Sequence, residues 1–184
     1  MSGHSGQSAT PSAAASRIPG RAVPEGPVLL DSNVFINALA GRGPEILRTM
    51  LEMLARCFVA APTRAELAWV RGRLDPAHPG TGKVLAAYDA LLSRIDSSHV
   101  LVPNDAQWLA AGELAGRAAR TIAGGGGRIA TAFDRVELIS DALTAVVAAS
   151  AGLIVFTEDL DFAVLARLLP GLQVIFYQRE RRGR

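Results

Sequence analysis

Val28-Leu29-Leu30-Asp31-Ser32-Asn33-Val34-Phe35-Ile36 is the stretch from which the rest of the chain can be read. Three apolar residues run into a carboxylate, and the apolar pattern resumes after two small polar residues. This predicts a short buried strand, opened by Pro27 and closed at Leu30, that releases its chain at Asp31. In open α/β sheets the carboxyl edge is where ligands bind. Ser32 or Asn33 is placed to cap a helix from Val34 to Leu39, and by itself Asp31 reads equally well as a turn or cap residue.

The strand-then-acid pattern recurs late in the chain. Leu153 to Phe156 is a continuous apolar run suited to a central parallel strand, and Thr157-Glu158-Asp159-Leu160-Asp161-Phe162 leaves its end. Short strands are also predicted at Phe58 to Ala60 and, as a last edge strand, Leu172 to Tyr177, while Val100 to Val102 reads as a short strand or an extended approach to Pro103. Helical patterns fall between them. Pro44 opens a helix with the stripe Ile46, Leu47, Met50, Leu51 and Leu54. Thr63-Arg64-Ala65-Glu66 has the form of a capping box, which gives Glu66 a complete structural explanation. A loop from Pro76 to Gly82 leads to a helix over Lys83 to Ile95, and Asn104 or Asp105 caps a long alanine-rich helix. Glu137 to Ala151 follows, with Glu137, Asp141 and Thr144 on one narrow side and neither Lys nor Arg along it. Strands alternating with helices predict a three-layer α/β/α sandwich on a mainly parallel sheet, spanning residues 27–178.

The flanks differ from this domain. Residues 1–26, rich in Ser, Ala, Gly and Pro, bury too little surface to offset their ordering entropy and read as a disordered leader. Gly124 to Gly127 reads as a linker or mobile loop. Residues 179–184 form a basic tail with Arg179, Arg181, Arg182 and Arg184, read as solvated in preference to a phosphate contact. A net charge of +2 is weak grounds for nucleic acid, although the positive charge is arginine except for Lys83. The single Cys57 and the lack of any apolar run of membrane-spanning length point to a cytoplasmic protein with a buried thiol.

Four acids, two at strand ends and two on helices, could meet at one sheet edge. Each close pair of like charges would cost about 1 to 4 kcal/mol without a counter-ion. Carboxylates without His or Cys suit Mg²⁺ or Mn²⁺, and such ions serve phosphodiester hydrolysis.

The chain resembles a family at these residues. The Val28–Ile36 stretch, Ala61-Pro62-Thr63-Arg64-Ala65-Glu66-Leu67, Ser140-Asp141-Ala142-Leu143-Thr144 and Val155 to Phe162 are similar, in order and setting, to the motifs of PIN-domain nucleases, and most of all to VapC-like toxins of toxin–antitoxin pairs. The resemblance implies a Mg²⁺-dependent endoribonuclease, with Mn²⁺ as a possible substitute, and Asp31, Glu66, Asp141 and Asp159 as catalytic metal ligands. It further implies that Asn33 and Thr157 support these acids by hydrogen bonding, with Asp161 as an alternate to Asp159. It implies a homodimer and a small antitoxin that blocks the site. Ser140 departs from the Asn often found there, and the length exceeds that of a minimal toxin. A catalytically silent PIN-like module that binds RNA or protein is the alternative. A haloacid-dehalogenase-like phosphatase would need an Asp at Asn33, and a receiver domain a late Lys, so neither fits.

Overall fold

A computed structural model describes residues 15–17, 24–122 and 132–178. Its centre is a six-stranded parallel sheet built from β1 (Ala15–Arg17), β2 (Val28–Leu30), β3 (Phe58–Ala60), β4 (Val100–Leu101), β5 (Ile154–Thr157) and β6 (Gln173–Phe176), in the order β1-β6-β5-β2-β3-β4. The helices are α1 (Ser32–Leu39), α2 (Glu45–Glu52), α3 (Ala61–Gly72), α4 (Thr81–Leu92), α5 (Asp105–Ile122), α6 (Ala132–Ala151) and α7 (Asp161–Leu168). From β2 the chain winds outward through β3 to β4. It then crosses back over α5 and α6 to lay β5 on the other side of β2. The winding therefore reverses between β2 and β5, and a crevice opens at their carboxyl ends.

The continuous apolar runs of the strands follow from burial on both faces. Leu29, Val155, Val174 and Phe176 belong to a core shared with α5, α6 and α7, whereas Val28, Leu30, Phe156 and Ile175 pack with residues of α1, α2, α3 and α4. This is the predicted three-layer sandwich. Alanine lets α5 and α6 approach closely, since Ala111, Ala118, Ala142, Ala145 and Ala148 are fully buried. Gly152, at φ +66°, ends α6 in a conformation that glycine adopts without a Cβ penalty. Cys57 is buried, which pushes its thiol up to about 11.

Some expectations shift. β6 is not an edge strand, because β1 pairs along its outer side. Residues 15–17 thus form a strand within the stretch read as a disordered leader. The glycine run 124–127 and the tail 179–184 lie outside the described residues. α6 begins five residues before Glu137, because the exposed turn containing Asp134 and Val136 carries no apolar stripe to announce it. Among the described residues no helix is long and apolar enough to cross a membrane.

Leu29 has no exposed surface at the centre of β2. Leu29→Ala should cost about 3 kcal/mol in urea unfolding. Leu109→Ala, at a residue 67 % exposed, should change stability by less than about 0.5 kcal/mol.

Candidate active site

Asp31 leaves β2 in an extended conformation (φ −79°, ψ 161°) and is itself the N-cap of α1, accepting from the Ser32 amide at 2.7 Å. The cap is therefore not Ser32 or Asn33, and α1 starts at Ser32, two residues before Val34. A second set of donors fixes the same carboxylate. Asn33 Nδ2 and Thr157 Oγ1 both donate to Asp31 Oδ2 at 2.7 Å. Thr157 Oγ1 meanwhile accepts from Asn33 Nδ2 and from the Asp159 amide, both at 2.9 Å, so its one proton is committed to Asp31. Oδ2 then has both lone pairs occupied, while Oδ1 keeps one for a further partner. Burial pushes the Asp31 carboxyl up to about 7. The Thr157 hydroxyl opposes that rise, and the charges of Glu66 and Asp159 add to it.

Glu66 does not serve a capping box. Pro62 lacks an amide hydrogen and suits the first helical turn, so α3 starts at Ala61 with Ala60 as its cap residue. This moves Thr63 inside the helix, where its hydroxyl is buried with no hydrogen-bond partner. Glu66, one turn on, accepts a hydrogen bond from Ser140 Oγ of α6. The Ser140 that replaces the commoner Asn thus still meets this acid.

Asp141 lies half-buried one residue after Ser140, and its carboxylate comes within 4.8 Å of those of Asp159 and Asp161. Both late acids are drawn in, because the Asp161 amide donates to Asp159 Oδ1 at 2.9 Å and folds the β5–α7 turn over the crevice. Burial holds the Asp141 carboxyl well above the usual range, and the charges of Asp31, Asp159, Glu66 and Asp161 push the same way. Asp161 is raised by burial and by Asp159. Glu137, four residues before Asp141, is raised by burial, then by Asp134, Asp159, Glu66 and Asp161.

The four predicted acids, the two supporting residues and the alternate ligand therefore converge on one crevice. Glu137 and Asp134 stand at its rim and were not assigned to it from sequence. For Glu137 the i, i+4 spacing to Asp141 was the available signal. Thr144, expected beside them, is buried and does not line the cavity.

That cavity has a volume of about 1210 Å³. Besides the acids it is lined by Trp69, Val102, Trp108, Ile122 and Val136, all more than half exposed. Among the described residues no Lys, Arg or His lines it. Buried carboxylates without a protein counter-charge fit a hard divalent cation, which takes oxygen ligands. Of the arginines on α3 and at its C-cap, Arg71 is bonded to Asp89 at 3.0 Å and Arg73 lies 4.6 Å over the Trp69 ring, while Arg64 is exposed.

Comparison with known proteins agrees with this architecture. A family model described as PIN domain matches residues 28–168. Among solved structures, VapBC2 from Rickettsia felis bound to a promoter DNA fragment superposes with a TM-score of 0.55 at 18% identity, over 83% of this chain and 100% of that one. FitAcB from Neisseria gonorrhoeae gives 0.56 at 21% identity, over 82% and 96%. VapBC-5 from Mycobacterium tuberculosis, a member of the VapBC family of toxin–antitoxin systems, gives 0.50 at 25% identity, over 82% and 98%. None of the curated proteins matches the chain in sequence.

Proposed function

The chain belongs to the PIN domain family, and from that premise we propose that it is a Mg²⁺-dependent endoribonuclease, cytoplasmic and homodimeric, acting as the toxin of a VapBC-like pair. The observation that carries the reading is the acid-lined crevice at the reversal point between β2 and β5, which no Lys, Arg or His lines among the described residues. Asp31, Glu66, Asp141 and Asp159 would hold the ion, with Asp161 beside Asp159 as a further oxygen donor. A bound Mg²⁺, or Mn²⁺ in its place, supplies an activated water and charge neutralisation for the phosphodiester.

The chain's own residues do the positioning. Asn33 and Thr157 lock Asp31 in one orientation, and Ser140 aims Glu66 from the neighbouring helix. Burial of Asp31 and Asp141 disfavours their charged form and makes them readier to hold a proton. Trp69 and Trp108, which line the same cavity, offer aromatic rings on which unpaired bases can stack. The similarity to solved toxin–antitoxin complexes supports a small antitoxin that covers this crevice.

Incubation with total RNA tests the reading directly. Fragments should accumulate in Mg²⁺ and not in EDTA. A silent binding module would leave RNA intact in both while still retaining it. Glu66→Gln sharpens the test, because the amide oxygen still accepts from Ser140 and no cap is lost. We expect a variant that melts no lower than wild type in EDTA and cleaves at least roughly a hundredfold more slowly in Mg²⁺. Cleavage at the wild-type rate would remove Glu66 from the site.

A further inference from the structure

We infer that Tyr177 is a positioning residue for the acid centre, acting through Asn33 to set which end of the Asn33 amide faces Asp31. The inference rests on the proposed metal-dependent reading and concerns how that site is held.

The direction of each hydrogen bond is forced by the one before it. Asn37 Nδ2 lies 2.9 Å from Glu158 Oε1, and a carboxylate there accepts, so Asn37 presents its NH₂ group to this side. The same nitrogen donates to Tyr177 Oη at 3.0 Å. With its oxygen accepting from Asn37, the phenol directs its one proton to Asn33 Oδ1, also at 3.0 Å. Asn33 is then obliged to turn its NH₂ toward Asp31 Oδ2 and Thr157 Oγ1. Were the amide reversed, its oxygen would face the Asp31 carboxylate, and both the donor to Asp31 and the donor to Thr157 would be lost.

Tyr177 is itself held without help from this chain of bonds. Its amide donates to Thr157 O at 3.0 Å, its ring stacks on Phe156 at 5.1 Å, and it is 4 % exposed. Asn33 and Tyr177 are 144 positions apart in sequence, and the parallel pairings of β2 with β5 and of β5 with β6 bring them together. Tyr177→Phe keeps the ring and its packing and removes only the hydroxyl that orients Asn33.

The test is Mn²⁺ binding by calorimetry, alongside melting temperature and RNA cleavage, on wild type, Tyr177→Phe, Asn33→Ala and the double variant. We expect Tyr177→Phe to bind Mn²⁺ about tenfold more weakly than wild type, a typical loss for a partner that orients a metal ligand. Asn33→Ala should lose at least as much, and the double variant should bind no more weakly than Asn33→Ala alone, because the hydroxyl acts on Asp31 through its bond to Asn33. A merely structural tyrosine would lower the melting temperature and leave Mn²⁺ affinity unchanged. Wild-type affinity in Tyr177→Phe, or fully additive losses in the double variant, overturns the inference. Coupled Mn²⁺ losses in a protein that leaves RNA intact would uphold the relay and overturn the ribonuclease reading, whereas a wild type that binds no Mn²⁺ overturns both.

Discussion

Asp141→Asn should abolish cleavage and make the metal-free protein more stable. The two effects have one cause. Asp141 sits half-buried on α6 within reach of four other carboxylates, and burial together with their charges already raises its own carboxyl. Asparagine matches its shape, can turn its NH₂ group toward Asp159 and Asp161 as a donor, and carries no charge. Without a cation, each like-charged pair that disappears relieves about 1 to 4 kcal/mol of repulsion, less what solvent already screens. A net gain of about 2 kcal/mol, or about 4 to 8 °C in melting temperature, is expected in EDTA. In Mg²⁺ the order should reverse, because wild type gains binding energy that the variant largely loses. Cleavage should fall roughly a thousandfold, as it does when a preorganised charge partner is removed from a hydrolytic site. A variant less stable than wild type in EDTA would mean that Asp141 is held by favourable contacts and is not strained by its neighbours.

The stability of the metal-free protein should also fall as pH rises, opposite to the behaviour of a protein whose acids are salt-bridged. Asp31 carries the effect. Its carboxyl titrates near 3.8 when unfolded and is raised to about 7 by burial in the fold. Below pH 4 both states are protonated and the group's contribution is fully present. Between those values the unfolded chain sheds the proton that the fold retains, so stability drains away until about pH 7. For Asp31 alone the difference corresponds to about 4 kcal/mol, and Asp141 and Asp161 shift in the same direction. A divalent cation binds the ionised carboxylates, so Mg²⁺ should stabilise strongly at pH 8 and little at pH 5. Melting curves across that range in EDTA and in Mg²⁺ check this, and the gap between the two series isolates the site from surface titration. A gap that is constant or that narrows with rising pH would contradict it.

How far the sequence disclosed this site depended on which forces set each part. β2 and β5 were legible because a strand buried on both faces must be apolar throughout, and the acid at each end was visible as the point where that run stops. Glu66 was found, but its capping explanation was misleading: Pro62 started α3 early and carried Thr63 into the helix. β1 was hidden because Ala15-Ser16-Arg17 has no β-branched or aromatic residue, and its pairing is supplied by the open side of β6. Spacing favours Asp159 over Asp161, since it lies nearer the strand end, two residues past Thr157, and the turn that bonds the amide of Asp161 to the carboxylate of Asp159 brings both to Asp141. Asn37, Glu158 and Tyr177 left no local signal at all. Their meeting depends on strand order, which appears only in the folded sheet.

The central claim is that these carboxylates gather around a divalent cation. Diffraction at the manganese absorption edge, from crystals grown in Mn²⁺, tests it most directly. An anomalous peak should lie among the carboxylates of Asp141, Asp159 and Asp161 and within ligand distance of Asp31. Those side chains found turned apart, with no peak between them, would contradict it.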